Sequence, residues 1–172
     1  MMLRKQLLVG VGIILAIVLL VLIGGGTIAL PANPLLADDA AARLAFAAKW
    51  LLVPGFCLLA GIGMLASRRF FSSDAIDGTR APQSSALEIN LRYNQNTLEQ
   101  TALVVIAWPL LALWLPAPQL GLIPVLAALF AAGRIAFWIG YLIAPWARAF
   151  GFALTFYPTV AVYVWLALRV WR

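Results

Sequence analysis

The 172 residues are 65% hydrophobic and only 10% charged, with no histidine and a single cysteine. Mean hydropathy is +1.00, whereas soluble domains carry roughly 25% charged residues. This excludes a soluble globular enzyme, a disordered tail, a disulfide-stapled secreted scaffold and any mechanism or zinc site built on histidine, and no metal site is assigned. Twelve Lys/Arg against six Asp/Glu give a net charge of +6, but the basic residues stand singly or in pairs between apolar runs. No basic tract exists to follow a phosphate backbone, so nucleic acid is not a partner. The chain is a multi-pass, all-α integral membrane protein.

A hydrocarbon core of ~30 Å needs ~20 apolar residues of helix. Gln6–Leu30 is uncharged, and after Met1-Met2-Leu3-Arg4-Lys5 it is too long for a cleavable signal core of ~7–15 residues. It predicts a retained first span. Pro31–Asp39 has turn composition, with Pro31, Asn33, Pro34 and two aspartates. Ala40–Ala66 predicts the second span, with Arg43 and Lys49 snorkelling and Pro54 kinking it. Ser67–Ser85 is the substantial polar loop. Ala86–Leu115 predicts a third helix with a polar first half, and Pro116-Ala117-Pro118 a hinge. Gln119–Ala144 and Ala149–Leu168 complete five spans around the Pro145–Arg148 turn. Arg4 and Lys5 place the N-terminus in the cytoplasm by the positive-inside rule. The Arg68–Arg80 loop and Arg148 then fall on that side, and the Ala/Leu-rich spans suggest a bacterial inner membrane. Cys57 is assigned to packing. The seven tryptophans, Trp108 included, fall mainly near span ends and are expected as interface anchors.

The polar first half of the third helix carries the chemistry. Arg92, Asn96 and Glu99, at i, i+4 and i+7, fall within ~60° of one another on one helix face, with Glu88 a turn earlier. A solvated helix extension would account for such a stripe, but depth argues otherwise. Glu99 lies ~24 Å from Leu115 and Arg134 ~22 Å from Gln119 along antiparallel neighbours, so both sit inside the slab at matching depth. A buried arginine there needs a partner, and a Glu99–Arg134 clamp is expected. Tyr141 and Arg148 follow Arg134 at seven-residue steps. Arg68, Arg69, Arg92, Arg134 and Arg148 then converge near the inner face, a setting for a small carboxylate-bearing anion held by forked guanidinium contacts. Glutathione, with two carboxylates, one ammonium and two peptide groups, fits this inventory, as other small anions do.

Arg92-x-x-x-Asn96-x-x-Glu99 opening a membrane helix, with Gly133-Arg134, Gly140-Tyr141, Arg148 and Gly151 downstream, resembles the signature of the MAPEG family, the membrane-associated proteins in eicosanoid and glutathione metabolism. The resemblance covers about residues 40–172, leaving 1–39 as an additional N-terminal transmembrane helix and loop. It implies a four-helix transmembrane bundle, a homotrimer, and glutathione as co-substrate at a cytoplasmic-side intersubunit site. By position it assigns Arg92, Asn96 and Glu99 to the glutathione backbone, Arg134 and Tyr141 to the completion of the site, and Arg68 and Arg69 to a further contact. Arg148 takes the catalytic role, stabilising the thiolate, which attacks a lipophilic electrophile from the bilayer or reduces a lipid hydroperoxide. Two positions depart from leukotriene-forming members, which carry tyrosine where this chain has Gln100 and Phe137. These departures favour the alternative of a non-catalytic lipid-binding or scaffold protein of the same fold. A small-anion transporter is a third reading, resting on Pro54 and the intramembrane Arg134 without visible inverted repeats.

Overall fold

A computed structural model describes residues 2–27, 39–71 and 84–171. They form five α-helices, α1 Met2–Thr27, α2 Ala40–Phe70, α3 Ser85–Trp114, α4 Leu122–Ile143 and α5 Arg148–Val170, with one 3₁₀ turn at Ala117–Gln119. All five expected helices form within a few residues of the expected bounds. The expected turn over 31–38 and most of the polar loop, 72–83, lie outside the described residues, as do the side chains of Arg4, Lys5 and Arg172. The helices α2 to α5 are each long and apolar enough to cross a membrane, while α1 carries the shorter apolar run Gln6–Leu22.

The helix ends follow local chemistry. Asp39 caps α2, its Oδ1 accepting from the Ala41 N–H at 2.8 Å, and Ser84 caps α3, its Oγ accepting from the Leu87 N–H at 3.2 Å. α3 stops at Leu115 and α4 at Ala144, both extended (ψ 141° and 147°). Each precedes a proline, whose ring excludes the helical conformation from the residue before it. Pro54 lies buried within an unbroken α2.

Cross-helix contacts fix the directions. Arg43 at the start of α2 donates to the Leu115 and Ala112 carbonyls at the end of α3 (2.8 and 3.2 Å), so the two run antiparallel and the last carbonyls of α3 are satisfied. Tyr163 on α5 donates to the Leu103 carbonyl on α3 at 2.9 Å. α1 runs parallel to α5, with Gly12 against Phe150 and Ala16 against Ala153 and Leu154. The bundle therefore has an arginine-rich end, where α2 finishes and α3 and α5 begin, and an apolar opposite half. The core of that half is Val104, Trp108, Leu111, Ile123, Phe130 and Leu166. Trp108 corrects the anchor expectation. It is 2% exposed and meets Phe130 edge-on at 6.4 Å, because α4 crosses α3 at that level.

The α4–α5 pair meets backbone to backbone. A Cβ on Gly133 would lie 3.0 Å from the Gly151 carbonyl oxygen, one on Gly151 would lie 2.6 Å from the Gly133 oxygen and collide with the Phe137 amide, and one on Gly140 would lie 2.6 Å from the Ala147 oxygen. Lipid supplies no hydrophobic drive between helices, so such backbone approach carries the association. Gly151→Ala is therefore expected to cost on the order of 2–3 kcal/mol. Gly55→Ala, facing open space, should be neutral or slightly stabilising. Thermal unfolding of the two variants in detergent checks the contrast.

Candidate functional site

A cleft of about 1060 Å³ opens at the arginine-rich end, at the upper edge of the range of small-ligand sites. α3 contributes Arg92, Gln95, Asn96 and Glu99, α4 contributes Phe137 and Tyr141, the start of α5 contributes Arg148, and α1 contributes Val9 and Ile13. Five of the site residues expected from the sequence, Arg92, Asn96, Glu99, Tyr141 and Arg148, thus line one cavity. Arg134 lies directly behind the wall. Arg68 and Arg69 occupy the last turn of α2 and do not line the cleft.

Arg134 is fully buried. Its Nη1 donates to Asn96 Oδ1 at 2.7 Å, and its Nη2 to Thr155 Oγ1 at 2.6 Å and, at the limit, to the Gly151 carbonyl at 3.5 Å. The guanidinium also lies 4.9 Å from the Phe137 ring centroid and 5.7 Å from that of Phe130. One side chain therefore ties α3, α4 and α5 together behind the cleft. The expected Glu99–Arg134 clamp does not form. Glu99 is exposed and accepts from Gln95 Nε2 at 2.9 Å and Asn96 Nδ2 at 3.5 Å. The reason is rotational. The buried positions in the first two thirds of α3 are Asn90, Tyr93, Thr97, Gln100 and Val104, so Asn96 lies at the edge of that face and Glu99 beyond it. Asn96 is the intermediary, its carbonyl taking the guanidinium and its amide reaching the carboxylate.

At the mouth, Arg148 donates from Nη1 to the Tyr141 hydroxyl, and its guanidinium lies 4.6 Å from the Tyr141 ring centroid. It is also the first residue of the 23-residue α5, so the helix dipole adds to the positive potential there. Arg92 pairs with Glu88 at 2.8 Å, but both are exposed, and such an i,i+4 pair is worth only about 0.5 kcal/mol. Arg92 is thus readily available to an incoming anion. The two departures have different surroundings. Phe137 forms part of the cleft wall, whereas Gln100 is buried in the bundle, its Oε1 without a partner among the described residues.

The sequence reading did not include Thr155, the Gly151 carbonyl or the α1 residues of the wall. The first two had a faint signal in Gly151 and Thr155 lying one turn apart on the helix after Arg134. The α1 contribution had none, since nothing in Val9 or Ile13 marks a site.

The pattern of the MAPEG family matches residues 41–168, and the chain belongs to that family. It is also similar to transmembrane protein 79 of Mus musculus, 33% identical over 79 residues, and to that of Bos taurus, 30% identical over 79 residues. Each match covers 46% of this chain and 20% of the relative, so the similarity spans about a fifth of those proteins' length. No solved structure matches the chain.

A lysine cannot present the planar fork that reaches Asn96 and Thr155 at once. Arg134→Lys is expected to lose about 2–3 kcal/mol of stability. Arg169→Lys, where the exposed guanidinium lies 5.5 Å from the Trp165 ring centroid, should stay within about 0.5 kcal/mol of wild type. Denaturant midpoints in one detergent provide the comparison.

Proposed function

We propose that this protein is a membrane-embedded glutathione-dependent transferase or peroxidase that binds glutathione in the arginine-rich cleft and turns its thiolate on lipophilic electrophiles or hydroperoxides. The observation that carries this reading is the meeting of Arg92, Arg148, Tyr141, Asn96 and Glu99 in one cavity with apolar walls. The arginines suit the two carboxylates of the tripeptide, and Glu99 suits its ammonium. Asn96, already oriented by Arg134, offers amide contacts to a peptide group.

A free thiol with a pKa of ~8.5 is mostly protonated at neutral pH. Arg148, permanently charged and standing at a helix N-terminus, favours the thiolate without exchanging a proton. The sulfur then attacks an electrophilic carbon of the acceptor. One S–C bond forms, and the electron pair leaves with the departing group or stays on an oxygen that takes a proton from water.

Glu99, Gln95 and Arg92 are exposed on the same helix as the exposed Leu98, Val105 and Ile106. A carboxylate facing hydrocarbon is costly, so this face is assigned to contact with neighbouring copies, in line with the homotrimer the family implies. Arg68 and Arg69 would join the site only as a second contact at its rim. We place the protein in a bacterial inner membrane, with α1 as a fifth span and the N-terminus cytoplasmic. The second reading, a lipid-binding protein without turnover, is favoured by one feature, the absence of a phenol at Phe137.

Calorimetry on the detergent-purified protein should give saturable glutathione binding, weakened at least tenfold by Arg92→Ala. In Arg148→Ala, bound glutathione should persist while its thiolate absorbance titrates about one unit or more higher and conjugation at neutral pH falls at least tenfold. Absence of glutathione binding to the wild type at millimolar concentration would leave the lipid-binding reading in its place.

A further inference from the structure

A second cavity of about 610 Å³ lies further along the bundle, in the apolar half. Its walls include Leu111 of α3, Leu126 and Leu129 of α4, Ala161 and Trp165 of α5, and Ile17 and Leu20 of α1. Two features connect it to the polar cleft. Tyr157 lines both cavities. One face of α1 also lines both, with Val9 and Ile13 in the cleft and Ile17, Leu20 and Val21 in the apolar cavity, a spacing of about one helical turn throughout. The contact between these levels is the close packing of Gly12 on Phe150 and of Ala16 on Ala153 and Leu154. α1 is thus the common wall of a groove that is cationic at one end and apolar at the other.

We propose that this α1-walled groove is a binding site for a single-chain lipid. Its acyl chain lies between α1 and α3–α5, running ~12 Å from Tyr157 to Trp165 along α5, and its polar end lies at Tyr157 beside the cleft. The volume is that of one ligand, and the side chains along the tail segment are apolar apart from Gln119 and the Trp165 indole N–H toward its far end and the Tyr157 hydroxyl at its near end. Helices α1, α3, α4 and α5 of one chain supply all of these walls, with α1 closing one side. That this lipid is the acceptor of the thiolate rests on the glutathione reading above, while the binding site itself does not.

The test uses the full chain in nanodiscs without glutathione, with palmitic acid brominated at mid-chain, the level that reaches Trp165 when the carboxylate lies at Tyr157, as the quencher of tryptophan fluorescence. Saturable quenching is expected. It should disappear in Trp165→Phe, and its half-saturation should rise at least tenfold in Ala161→Phe and in Ile17→Phe, which fill the groove from opposite walls. Unchanged helicity shows that the variants fold. Quenching that rises linearly with lipid fraction and is unaffected by the two filling variants would mean bulk lipid contact, and would overturn the site. Failure of Trp165 to be quenched at all would mean that a neighbouring copy covers the groove, and would overturn it equally. Loss of glutathione binding with saturable quenching intact would remove the conjugation reading alone.

Discussion

A guanidinium with no exposure to solvent, placed at membrane depth, constrains everything around it. Arg134 must find its partners inside the bundle, and its two terminal nitrogens find them on two other helices at once, Asn96 on α3 and Thr155 on α5, while its buried Nε has none among the described residues. Those bonds need α4 and α5 in backbone contact, which Gly133 and Gly151 permit. They also need α3 rotated so that Asn96 sits at the edge of its buried face. The rotation leaves Arg92 and Glu99 on the cleft side, and Phe137 and Tyr141, following Arg134 along α4, extend the wall toward Arg148. The polarity of the cleft and the packing behind it are two faces of one arrangement.

Much of this was legible in the sequence. Apolar run lengths located the helices, and the prolines after Leu115 and Ala144 located two of their ends. The seven-residue steps from Arg134 to Tyr141 and Arg148 placed those side chains on one side of the bundle. What periodicity cannot supply is the rotation of one helix against another. Arg92, Asn96 and Glu99 share a stripe, but which member meets α4 depends on where Tyr93, Thr97 and Gln100 bury. Charge alone therefore points to Glu99 as the partner of Arg134, whereas geometry selects a neutral amide that passes the contact on. Trp108 departs from the anchor expectation for a related reason, since a tryptophan is an interface anchor only if no neighbouring helix covers it. Arg68 and Arg69, in the last turn of α2, do not line the cleft of a single chain.

The helix outside the family match contributes most where the sequence says least. Among the described side chains of α1 none that lines the cavities is polar, yet Val9, Ile13, Ile17 and Leu20 close one side of both. Its small residues, Gly12 and Ala16, allow it to lie close on α5, and its uniformly apolar composition leaves no periodic signal to reveal which face does so. In a membrane the remaining faces of α1 need only be lipid-compatible, so the packing information is carried by side-chain size.

The most direct measurement is a double-mutant cycle on the two side chains that hold Arg134, comparing the unfolding free energies of Asn96→Ala, Thr155→Val and the double variant in one detergent. Because both bonds end on one guanidinium, the losses should be non-additive by about 1 kcal/mol. Additive losses, within about 0.3 kcal/mol, would contradict the account and mean that Arg134 does not couple α3 to α5 behind the cleft.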